Sequence, residues 1–254
     1  MKIVAVIPAH LASVRFPNKI LFEFHGLPMI EHVRRRALLS EAVSEVYVAT
    51  CDEEIAETIR GYGGKVIMTA NTHTNGTTRV AEAIANIDCD YVMLLQGDEP
   101  LMLPRHLDEF AQAIKSDPSG DAWNATGPIE HKEELDRHSF VKCVISQSER
   151  IMYCFRRSPC YSVTDKQRVF VRKILGIIAY RKDFLLQLTT LPASPVELAE
   201  FIEQMRIIEN DYKLQSVSVT PSLPSVNEPD EADIILGYMQ QDNEQRILLE
   251  RILK

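Results

Sequence analysis

Apolar residues follow two rhythms over the first hundred positions. Short unbroken runs, Ile3–Ile7, Val46–Ala49, Val66–Met68 and Tyr91–Leu95, have the length and β-branched content of strands buried on both faces. Between them the spacing is helical: Met29, Ile30, Val33, Ala37 and Leu38 behind Gly26-Leu27-Pro28, then Ile55 and Ile59, then Val80, Ala83, Ile84 and Ile87 in a helix from about Thr78. Asp52 has the place of an N-cap, with Glu53 and Glu54 in the first turn and Gly63-Gly64 as the stop. The order β-loop-α-β-α-β-α-β predicts a nucleotide-binding α/β half with a mainly parallel sheet.

The second half is less regular. Leu107, Phe110, Ala111 and Ile114 mark a helix, and Ser116–Gly120 reads as a turn. Strand-like runs follow at Val141–Ile145, Ile151–Phe155, Ile174–Tyr180 and Val217–Val219, with a helix over Val196–Glu209. A proline-rich loop, Pro221–Pro229, precedes a helix from about Asp230. The pattern predicts one compact domain over residues 1–254, with a hairpin or subdomain inserted at about 130–200.

Composition narrows the chemistry. With 28 Lys+Arg against 36 Asp+Glu the formal charge is −8, which argues against nonspecific nucleic-acid or membrane-surface binding. An anionic ligand would therefore be held by a few placed cations. Five cysteines, without a C-x-x-C pair, fit reduced thiols in the cytoplasm. Pro8 ends the first apolar run too early for a signal or a membrane span, so that run reads as a strand. The histidines show no zinc spacing, Trp123 reads as packing, and Arg34-Arg35-Arg36 as a solvated helix face or a dimer-surface charge cluster.

Three segments carry candidate chemistry. The loop Pro8–Lys19 leaves the carboxyl end of the first strand, where open α/β sheets bind ligands; Arg15 and Lys19 supply cations, and Ala9, Ala12 and Ser13 let backbone N–H groups approach a phosphate. It contains neither a Walker A nor a G-x-G-x-x-G pattern. Gln96-Gly97-Asp98-Glu99-Pro100 places a carboxylate after the fourth strand, suited to Mg²⁺ on a nucleotide phosphate, or else to an acidic turn capping the next helix. Asn75-Gly76-Thr77-Thr78-Arg79 opens a helix whose terminal amides suit a base or phosphate, or simply cap it.

Taken in order, these segments resemble the sugar-acid cytidylyltransferases, most closely those acting on 3-deoxy-manno-octulosonate (KDO). Gly26–Ile30, Val48-Ala49-Thr50, Gly63-Gly64, Val141-Lys142, Arg157-Ser158-Pro159, Gly176 with Ala179-Tyr180-Arg181, and Glu203–Arg206 extend the resemblance over nearly the whole chain. It implies a Rossmann-like nucleotidyltransferase fold and a cytoplasmic homodimer, with the inserted part used for dimerisation. It also implies transfer of CMP from CTP to KDO or a KDO-like 2-keto acid, with release of pyrophosphate, in lipopolysaccharide biosynthesis. Arg15 and Lys19 would bind the triphosphate; Ala9, His10, Ser13, Asn75, Gly76, Thr77 and Arg79 would hold the nucleotide. Asp98 would bind Mg²⁺, with Asn227 at the position of a second metal ligand. Gln96, Arg157 (or its neighbour Arg156), Tyr180, Glu203 and Gln204 would face the acid.

The chain departs from the family at the same places. His10 replaces an arginine, Asn75 a serine, Ile174 a histidine, Ile178 a tyrosine and Asn227 an aspartate. An amide oxygen can still bind Mg²⁺ but brings no charge. These changes leave open a different acid, such as a phosphonate, or a catalytically weak nucleotide-binding relative. Retention of Arg15, Lys19, Arg79 and Asp98 favours activity.

Overall fold

The computed structural model describes residues 1–13, 16–158, 167 and 169–254. By internal contacts the chain divides into two compact units, Met1–Asp108 with Leu223–Lys254, and Glu109–Ser222.

The first unit is built on four parallel strands: β1 (Ile3–Ala9), β4 (Glu45–Thr50), β5 (Lys65–Met68) and β6 (Tyr91–Leu95), in the order β6-β1-β4-β5. Central β1 is buried almost throughout because both of its faces are covered, which is why its sequence is an apolar run rather than an alternation. Each fully buried Val or Ile there contributes about 1.5–3 kcal/mol. Helices α1 (Met29–Ala37), α2 (Glu53–Gly61) and α3 (Gly76–Ile84) connect the strands, and a two-residue turn, His25 and Gly26 at φ 52° and 75°, closes the hairpin of β2 (Glu23–Phe24) and β3 (Leu27–Pro28). Two C-terminal helices, Ala232–Gln241 and Asn243–Ile252, pack Ala232, Ile235, Met239, Leu249 and Ile252 with Phe24, Leu27, Met29 and Leu101.

The arginine run on α1 is not a solvated face. Arg34 and Arg36 are buried. Arg34 makes a two-pronged pair with fully buried Glu31 at 2.5 and 2.6 Å, and Arg35 reaches the same carboxylate at 2.8 Å. Glu31 lies three and four residues before them, the helical spacing for such pairs.

The second unit is mixed. Antiparallel pairs join β7 (Ala122–Pro128) to β10 (Val171–Arg181), β10 to β8 (Lys142–Ile145) and β8 to β9 (Ile151–Phe155), while β11 (Leu214–Ser218) runs parallel to β7. Helix α4 (Pro104–Ser116) contains the boundary between the units. The stretch expected to be one helix over Val196–Glu209 is two, Pro195–Glu200 and Gln204–Glu209, because Phe201 turns into the left-handed region at φ 55°. Among the described residues no helix is long and apolar enough to cross a membrane.

Candidate active site

All four parallel strands of the first unit deliver polar residues from their carboxyl ends into one cleft of about 400 Å³. β1 supplies Ala9, His10, Ala12 and Ser13; β4 supplies Cys51 and Asp52; the segment after β5 supplies Asn71, His73, Thr74, Asn75 and Gly76; β6 supplies Gln96, Gly97 and Asp98. Lys19, Arg79, Pro8 and Ile20 complete the lining.

Lys19 and Asp98 are the charged centre. Lys19 Nζ donates to Asp98 Oδ2 at 2.5 Å and to the Val226 carbonyl at 3.1 Å. The Val226 N–H returns a bond to the Asp98 carbonyl at 2.9 Å. A segment more than a hundred residues downstream is thereby stitched to both partners. Asn227 follows directly; its Nδ2 donates to Ser225 Oγ at 3.1 Å and its backbone N–H to Glu231, so Oδ1 is the atom it can offer an ion. Asn227 is not itself among the cleft-lining residues.

The opposite wall is a helix start. Asn75 Oδ1 caps α3 by accepting from the Thr78 N–H at 2.9 Å and from its hydroxyl at 2.9 Å. A Cβ on Gly76 would stand 3.1 Å from Pro8 Cγ, and one on Gly97 would stand 2.6 Å from Ile20 Cδ1; at Gly97 only glycine fits without displacing Ile20. Arg79, although 4% exposed, reaches the cleft and donates to Thr69 Oγ1 at 2.7 Å. Thr77 is buried behind the lining.

Of the residues expected from sequence in this region, Ala9, His10, Ser13, Lys19, Asn75, Gly76, Arg79, Gln96 and Asp98 meet at the cleft. Arg15 lies outside the described residues. His73 and Asp52 were not anticipated as lining. His73 pairs with Glu82, whose carboxyl that contact lowers in pKa, and Glu82 also accepts from the Ala70 N–H. Asp52 does not cap α2 as its position suggested; it makes no capping bond and accepts from the Leu11 N–H at 2.9 Å instead. His73 sits two residues before Asn75, and that proximity was the one signal in the sequence.

The remaining expected residues belong to the second unit. Arg156 donates to three carbonyls, of Glu200 at 2.9 Å, Phe201 at 3.2 Å and His138 at 3.2 Å, whereas Arg157 is exposed. Gln204 Nε2 donates to Asn124 Oδ1 at 3.0 Å, and Glu203 stands at the start of the same helix. Tyr180 is 2% exposed. Buried Lys142 Nζ donates to the carbonyls of Arg137 and Phe140, each at 2.8 Å, and to that of Arg156; burial lowers its pKa to about 8.

For a metal, the described residues contain no group of three or more His, Cys, Asp or Glu side chains that could hold one. Two carboxylates, Asp52 and Asp98, line the cleft, and so few protein donors suit an ion that arrives with a nucleotide and takes most of its ligands from phosphate and water. Asp98 fits that use, since its Oδ1 has no protein partner among the described residues.

A family model described as cytidylyltransferase matches residues 4–214. The 3-deoxy-manno-octulosonate cytidylyltransferase of Geobacter metallireducens is 38% identical over 252 residues, covering 95% of this chain and 99% of that protein. Its namesake from Escherichia coli is 35% identical over 241 residues, with 95% and 97% covered. A solved structure described as CMP:2-keto-3-deoxy-manno-octonic acid synthetase complexed with CTP superposes with a TM-score of 0.88 at 34% identity, covering 95% of this chain and 100% of that one. A 4-diphosphocytidyl-2C-methyl-D-erythritol synthase from Anaerococcus prevotii shares the fold, with a TM-score of 0.65 at 13% identity over 94% and 99%. On this agreement of family model, relatives and fold, the chain belongs to the cytidylyltransferase family, among the 3-deoxy-manno-octulosonate cytidylyltransferases.

Proposed function

We propose that the protein transfers CMP from CTP to the anomeric hydroxyl of KDO or a KDO-like 2-keto acid and releases pyrophosphate. The observation that carries this reading is the convergence of Lys19, Arg79, the Asn75-Gly76 helix start and Asp98 on one cleft at the carboxyl edge of a parallel sheet, in a chain whose fold matches a synthetase complexed with CTP. Attack of the hydroxyl on the α-phosphorus requires positioning and neutralisation of charge on the departing pyrophosphate. Lys19 supplies positive charge; the α3 start and the β1 loop supply backbone N–H donors. Arg15 is assigned to the triphosphate with Lys19.

Asp98 would hold Mg²⁺ in the cleft, and Asn227, next in sequence to the Val226 that is bonded to Lys19 and Asp98, is assigned as a second ligand. Bound there with the nucleotide, the ion would neutralise phosphate charge. Arg157, Tyr180, Glu203, Gln204 and Gln96 are assigned to the acid. We further assign the enzyme to the cytoplasm, as a homodimer formed through the 130–200 region, in lipopolysaccharide synthesis; a soluble activated sugar suits that setting.

The test is pyrophosphate release from CTP and Mg²⁺ with KDO, its 8-amino analogue, sialic acid and small phosphonates. Release with KDO is the expected result. Release with another acid alone would tie His10, Ile174 and Asn227 to a changed acceptor pocket, and no release with any acid would overturn the reading.

A further inference from the structure

Asp52 has the backbone of a helix cap, φ −99° and ψ 118°, directly before α2, and a residue type well suited to capping. Its side chain nevertheless makes no bond to that helix. Oδ2 reaches across to the loop after β1 and accepts from the Leu11 N–H at 2.9 Å, while the Asp52 N–H is fixed by Thr50 Oγ1 at 3.1 Å. Cys51 Sγ, at 3.9 Å, is a weak further contact on the same oxygen. A carboxylate on the wall of a cleft that receives a triphosphate repels its ligand, so its presence there calls for a local use.

We infer that Asp52 is a positioning residue whose carboxylate holds the His10–Ser13 loop in the shape that receives the nucleotide. With Leu11 N–H tied to Asp52, the Leu11 carbonyl accepts from the Ser13 N–H at 2.8 Å and closes a tight turn. The Ala12 N–H between them has no protein partner among the described residues, and His10, Ala12 and Ser13 all line the cleft. The turn thus leaves one loop amide, that of Ala12, turned to an anion in the cleft.

This inference rests on the cleft being the CTP site. Its test compares Asp52→Ala and Asp52→Asn with the parent enzyme in KM for CTP, kcat, Tm and amide hydrogen exchange at Leu11 without nucleotide. Asp52→Ala is expected to raise KM for CTP about tenfold, with kcat within about threefold. Asp52→Asn keeps an acceptor oxygen and should stay within about threefold of the parent on both. Leu11 exchange should quicken about tenfold in Asp52→Ala alone, with Tm nearly unchanged. Unchanged KM with lowered Tm would make Asp52 a cap and overturn the clamp; so would unchanged Leu11 exchange, loss of the fold in Asp52→Ala, or an Asp52→Asn as impaired as Asp52→Ala. A parent that releases no pyrophosphate from CTP would overturn the CTP reading instead, and the exchange rates would still decide the clamp.

Discussion

In the first unit, an apolar frame of four parallel strands carries polar residues at their ends, where they line a cleft. In the second, polar side chains sit inside the frame: Lys142 is buried under three carbonyls, Arg156 is fastened to three more, and fully buried Asn124 donates to the carbonyls of Ala125, Leu175 and Ile177 while accepting from Gln204. A charge at the mouth of a cleft can be removed without disturbing what holds the fold together. A charge bonded to buried carbonyls cannot, because its loss leaves acceptors unsatisfied. Catalysis and stability should therefore separate between the cleft of the first unit and the buried polar groups of the second.

The largest effect should come from Lys19→Ala, which removes the cation paired with Asp98. Steady-state kinetics should show kcat/KM lowered by about a thousandfold, with Tm within a few degrees of the parent. Lys142→Met gives the opposite outcome: denaturant unfolding should show a loss of about 3 kcal/mol as buried carbonyls lose their donor. If Lys142→Met left stability intact, the contrast between the units would fail.

A pH experiment sharpens the comparison inside the first unit. His32 is buried on α1 with Nε2 2.8 Å from the Phe24 carbonyl, and burial lowers its pKa from 6.5 to about 4. The native imidazole is neutral, so the unfolded chain binds the extra proton between those values. Its contribution is fully present above pH 6.5 and is lost as pH falls toward 4. Urea unfolding should show His32→Gln losing about 2 kcal/mol less than the parent between pH 7 and pH 5. The smallest effect is expected for Asn227→Asp. By restoring a charged ligand it should lower the Mg²⁺ concentration for half-maximal activity by about threefold, read from a metal titration of pyrophosphate release.

The sequence revealed the first unit because its strands are buried on both faces and so read as apolar runs. The ends of β1, β4 and β6 fell within two residues of their expected positions, and the residues after β1 and β6 and at the start of α3 did meet. β7 was not anticipated. Its Trp123-Asn124-Ala125-Thr126 run has two polar residues, yet both are buried, Asn124 through its carbonyl bonds and Thr126 through Ser216 at 2.7 Å. Hydropathy cannot show polarity that is satisfied by partners ninety residues away. The Arg34–Arg36 run misled for a different reason: Glu31, one turn earlier on the same helix, pairs with Arg34 and Arg35 and lets the charge be buried. Asp52 illustrates the limit most sharply: its local pattern is that of a cap, while its partner lies forty-one residues upstream.

The central claim is that the first unit's cleft is the CTP site. Hydrogen exchange with and without CTP and Mg²⁺, in the absence of any acid, tests it most directly. The account predicts protection concentrated at residues 9–13, 73–79 and 96–98, with the Leu11 amide already slow before nucleotide is added. Protection confined to other segments, or none at saturating CTP, would contradict it.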